Sequence, residues 1–113
     1  MKVMDPVHMF SNLSTNDKIR FLSRFGWELT IVGRDAYEPQ TEELTYPARL
    51  RALNEIQHRI LSHLYSLTSH TAQRYPDDVL IAIVLEESPD RVLNQQVQSA
   101  FDRAAEFIER NPA

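Results

Sequence analysis

The chain has 113 residues, 16 of them acidic and 12 basic, and it contains no cysteine. That length supports one hydrophobic core and not two comfortable ones, so residues 1–113 read as a single domain. The missing cysteines exclude disulfide scaffolds, thiolate zinc sites and thiol nucleophiles, and a net charge of −4 argues against a nucleic-acid partner, which needs a concentrated basic face.

The longest apolar run covers residues 79–85, far short of the roughly 20 residues that cross a bilayer. The opening Met1-Lys2-Val3-Met4-Asp5-Pro6 lacks the apolar stretch of a secretory signal. A soluble, cytoplasmic protein without a membrane partner is therefore expected.

In chain order, Asp5-Pro6 predicts a short helical turn through about Asn12, because proline suits the first helical position. Ser14 reads as an N-cap with Asp17 three residues on, where a carboxylate favours the helix dipole. The long helix so started is expected to run to about Glu38 and to stop at Pro39. A polar connector over residues 39–46 leads to a second long helix, from near Pro47 to about Ala72. Residues 73–76 break it. A third segment, residues 79–87, is apolar all round; its composition also suits a buried strand, but no second strand-like run exists to pair with it. It is read as a short central helix. Ser88-Pro89-Asp90 restarts the chain into a last helix ending near Arg110. The expected fold is all-α: a four-helix bundle with two long helices in an antiparallel hairpin, a short apolar third helix and a terminal fourth, preceded by a helical turn.

At about 100° per residue, Leu22, Gly26, Leu29, Gly33 and Ala36 share one line on the first long helix, flanked by Ile19, Phe21, Phe25 and Val32. The chain's two glycines thus sit seven apart on one face. Each costs about 1 kcal/mol against alanine inside a helix, so close packing at Gly26 and Gly33 is expected, either against the second helix or under a ligand. Trp27 and Ile31 point nearly the opposite way, among Arg20, Arg24 and Arg34. A large aromatic with an aliphatic neighbour and arginines has the composition of an interface hot spot. Either the amino-terminal segment with Val7, Met9 and Phe10 covers this patch, or another subunit or protein does.

On the second long helix Leu50, Leu53, Ile60, Leu64 and Leu67 form the apolar stripe, widened by Ile56 and Leu61, with Gln57 in its middle and His63 on its flank. The last helix turns Leu93, Val97, Ala100, Phe101, Ala104, Phe107 and Ile108 inward. Glu55-Ile56-Gln57-His58 has the Glu-x-x-His spacing of helical di-metal carboxylate sites, and a hairpin would bring Glu28 to its level. The motif occurs once, on the polar side, where Arg51, Glu55 and Arg59 could equally form four-apart ion pairs. Asp35, Tyr37 and Glu38 could join Arg49, Arg51 and Asn54 at the hairpin mouth, as a structural network or around a small polar ligand. No serine elbow and no glycine-rich phosphate loop occurs. The last two helices resemble a helix-turn-helix only in outline, because the second carries no basic excess.

No catalytic motif or cofactor is expected. The leading expectation is a non-enzymatic protein-interaction module of regulatory or adaptor type, forming a homodimer because an all-apolar helix in so small a domain suggests a shared core. The rival is a metal- or ligand-binding bundle using Glu28, Glu55 and His58.

Overall fold

A computed structural model describes residues 5–35, 44–69 and 75–112, with Arg34 and Asp35 described by their backbone alone. Among these residues it is all-helical: α1 (Pro6–Ser11), α2 (Thr15–Asp35), α3 (Tyr46–Thr68), α4 (Asp77–Val84) and α5 (Arg91–Arg110). The second long helix ends earlier than the expected Ala72, at Thr68, because Ser69 turns extended (φ −106°, ψ 132°). The expected end near Glu38, residues 39–43 of the connector and the Tyr37–Glu38 part of the hairpin mouth lie outside the described residues.

The helix starts follow their capping chemistry. Asp5 accepts a hydrogen bond from the Val7 amide at 3.0 Å, and Ser14 Oγ accepts one from the Asp17 amide at 3.1 Å. Thr45 receives the Ala48 amide at 3.4 Å with proline in the first turn, and Asp90 receives the Leu93 amide at 2.7 Å. Pro76 precedes α4 without a side-chain cap; the acidic Asp77 and Asp78 occupy its first turn, where negative charge is favourable.

α2 is the central helix, packing on both α3 and α5. Against α3, Gly26 faces Gln57 and Gly33 faces Leu50 and Leu53, so the two chains run in opposite directions. Against α5, Arg20 reaches the Asn111 carbonyl, Glu28 meets Arg103, and the Val32 carbonyl accepts from Gln96 at 3.1 Å, which is again antiparallel. α4 packs on α1 and α3. The core is centred on rings: Phe21 lies 5.5 Å from Phe10, 5.8 Å from Phe25 and 4.9 Å from Phe101, centroid to centroid. The edge-on pairs add about 0.5–1.5 kcal/mol each beyond the area they bury.

Three expectations about packing need correction. The third helix is neither central nor buried all round. It starts at Asp77 and ends at Val84, burying Leu80, Ile81 and Val84 while Val79, Ala82 and Ile83 face solvent. Leu61 does not widen the buried stripe of α3; it is 60% exposed. The buried seam of α3 is centred on Arg49, Leu53 and Ile60, which share one face, and Leu61 falls outside it. Gly26, finally, is not at a close approach. A Cβ there would meet nothing within 4 Å, whereas one on Gly33 would lie 3.0 Å from Leu53 Cδ1 and 3.4 Å from Leu50 Cδ2. Only Gly33 is required by close helix packing.

Candidate functional site

Arg49 and Asp90 are the most deeply placed charges. Arg49 Nε donates to both Asp90 oxygens, at 3.0 and 3.1 Å, and Asp90 also accepts from the amides of Leu93 and Leu44. Burial alone would raise the pKa of this carboxyl. The Arg49 hydrogen bond, the two backbone amides and the arginine charge outweigh it and hold Asp90 below the usual aspartate value. The pair ties the start of α3 to the start of α5 and to the chain entering α3. It joins elements; it faces no solvent.

A second internal network links α2, α3 and α4. His63, buried, shares a hydrogen bond of 3.0 Å between its Nε2 and Asp77 Oδ1, while Lys18 Nζ meets Asp77 Oδ2 at 2.6 Å. The Phe10 ring lies 6.1 Å from the imidazole, with Lys18 over it at 5.7 Å. His63 is therefore more enclosed than a flanking residue. Gln57, in the middle of the stripe, donates from Nε2 to the Gly26 carbonyl at 2.8 Å and to Thr30 Oγ1 at 2.6 Å. A polar group left unpaired there would cost about 1–3 kcal/mol; this one is paired across the hairpin.

The carboxylate and histidine set does not assemble. Glu28 turns toward α5, where its buried carboxylate takes Arg24 Nε at 2.9 Å and approaches Arg103 at 3.5 Å. Glu55 and His58 stand exposed on α3, beside a shallow depression with Asn54 and Arg59. Being level with one another across a hairpin did not put these residues on facing sides. Among the described residues, no three histidine or acidic side chains gather closely enough to hold a metal ion. The expected four-apart pairs of Arg51, Glu55 and Arg59 are not formed either; the three side chains are exposed.

Trp27 is 54% exposed, a high value for the chain's single tryptophan. Among the described residues, no ring or cation stacks on it. The segment that could have covered it goes elsewhere: Phe10 is buried against Phe21 and His63, and Val7 and Met9 pack on the core. Ile31, one turn on, is half-buried at the rim of a depression between α2 and α5. Arg24 stacks on Phe107 at 4.7 Å. Arg20 leans away toward Asp17 and the end of α5. The Arg34 side chain lies outside the described residues.

Further apolar side chains reach solvent: Leu61 and Tyr65 on α3, Val79 and Ile83 on α4, and Tyr75 just ahead of α4. Val79 and Ile83 lie one four-residue step apart on α4, so its outward face was readable from spacing once the inward face was known.

No described helix is long and apolar enough to cross a membrane. Compared with protein-family models, with curated proteins and with solved structures, the chain matches none.

Proposed function

We propose that the chain is a non-enzymatic interaction protein of regulatory or adaptor type, a four-helix bundle that docks a protein partner over Trp27 and Ile31 and pairs with a second copy of itself. The observation that carries this reading is the exposed indole. A tryptophan contributes a large apolar surface and little rotamer freedom, so it gains most when a partner covers it. Arg24 beside it is already held by Glu28 and Phe107, which lowers the ordering cost of using it in a contact.

Self-association is assigned to a different surface. Val79, Ala82 and Ile83 are exposed on α4, bordered by Asp78 and Glu86, with Tyr75 exposed just ahead of the helix, and an apolar patch of this kind can pair with its own copy about a two-fold axis. The α2 face carries arginines, which would oppose one another across such an axis.

The test is the double substitution Trp27→Ser with Ile31→Ser, compared with the parent chain in partner capture. Trp27 is exposed and Ile31 half-buried, so the fold should survive with unfolding free energy lowered by about 1 kcal/mol. Loss of captured partners from the folded variant supports the proposal. Retention of every partner removes it.

A further inference from the structure

The partner's chemistry can be taken one step further, resting on the docking reading above. Where α2 passes the end of α5, Arg24, Arg103 and Arg110 surround a depression of about 430 Å³ whose apolar walls are Ile31 and Phe107. Two carboxylates belong to it. Glu28 is at the floor, nearly out of solvent, and is taken up by Arg24 and Arg103; Glu106 is exposed and meets Arg110 at 3.2 Å. Of the charges here that solvent reaches, three are arginines and one is Glu106, a cationic excess on a chain that is acidic as a whole. Arg24 donates to Glu28 through Nε and sits over the Phe107 ring at 4.7 Å, with no further hydrogen bond among the described residues. Its terminal N–H groups are therefore open to a carboxylate, which a guanidinium suits. Trp27 lies three residues from Arg24 and four from Ile31, so it flanks this depression on the same helix face.

We infer that this depression receives carboxylate side chains of an acidic protein segment whose neighbouring apolar residue covers Trp27. A second copy of the chain fits less well, because its own arginines would have to approach.

The experiment is selection of a random-peptide library on the full chain, followed by titration of enriched peptides while the emission of Trp27 is recorded. Because Trp27 is the only tryptophan, peptides lacking tryptophan leave a signal from this face alone. The expected result is enrichment of peptides combining Asp or Glu with aliphatic or aromatic residues, and a blue-shifted Trp27 emission on binding. Affinity should fall as salt rises. Two variants test the arginines without orphaning the buried acid. Arg110→Gln alters an exposed side chain, and Arg24→Gln with Glu28→Gln changes both members of a pair. Each should weaken acidic peptides about tenfold, the effect of losing a hydrogen bond to a charged group.

Enrichment of neutral or basic peptides that still shift Trp27 overturns this inference and leaves the docking face standing. Acidic peptides that bind both variants as tightly as the parent overturn it too. If no enriched peptide alters the emission, both the partner chemistry and the Trp27 face are contradicted.

Discussion

Arg49 and Asp90, 41 residues apart in the chain, form an ion pair that solvent does not reach, with Asp90 also serving as the N-cap of α5. One carboxylate therefore stabilises a helix start, anchors α3 beside α5, and receives the amide of Leu44 on the way into α3. Breaking a buried pair by removing one member leaves the other charge uncompensated, at a cost of about 3–5 kcal/mol. Asp90→Ala also loses the cap, worth about 1 kcal/mol. Urea unfolding should place Asp90→Ala and Arg49→Met in this range. Arg49→Met with Asp90→Asn should lose less than the sum of the single changes, since the two residues act as one unit.

The same pair gives the stability a direction with pH. Asp90 has a folded-state pKa below the ordinary value of about 3.9. A depressed carboxyl contributes its full stabilisation above the unfolded-state pKa and loses it as pH falls through the folded one. The urea midpoint of the parent should therefore fall on acidification below about pH 4, and the fall should be shallower in Asp90→Asn. Equal slopes for the two proteins would contradict the assignment.

The two glycines should respond differently to alanine. At Gly26 the new methyl group meets open space, so Gly26→Ala should gain up to about 1 kcal/mol from helix propensity. At Gly33 the methyl group presses on Leu53 and Leu50, and overpacking of this kind costs about 1–3 kcal/mol. Thermal melts should rank the variants Gly26→Ala, parent, Gly33→Ala, from most to least stable.

Self-association should depend on α4. Val79→Glu with Ile83→Glu alters two side chains that already face solvent, so sedimentation should show a folded monomer where the parent forms a dimer. A parent that remains monomeric across the accessible concentration range would exclude this dimer.

Helix type and most helix starts were legible because they rest on local chemistry: Asp5-Pro6, Ser14 with Asp17, and Asp90 each supply the acceptor a helix start requires. Core positions on α2 and α5 followed the helical period for the same reason. What local pattern did not convey was the direction from which each neighbour arrives. Arg49 lies four residues before Leu53, on the buried face of α3, and that spacing was available; its charge disguised it, since an arginine is buried only when a partner is present and Asp90 is remote in the chain. Leu61 failed in the opposite sense, apolar yet just outside the seam. Glu28 was level with Glu55 and His58 but projects toward α5, because α2 has two neighbours and a hairpin considers one. The arginine-lined depression depends on residues of α2 and α5 meeting, which no single helix reveals. The place of Trp27 opposite the apolar stripe left two outcomes open, and burial of Phe10 against Phe21 and His63 takes the amino-terminal segment elsewhere.

The environment of that indole in the dilute, partner-free monomer is the most direct measurement. Trp27 should emit as a water-exposed tryptophan and be readily quenched by acrylamide, in keeping with its 54% exposure. A blue-shifted emission shielded from acrylamide in the monomer would mean that the chain covers its own indole, leaving no docking face on α2.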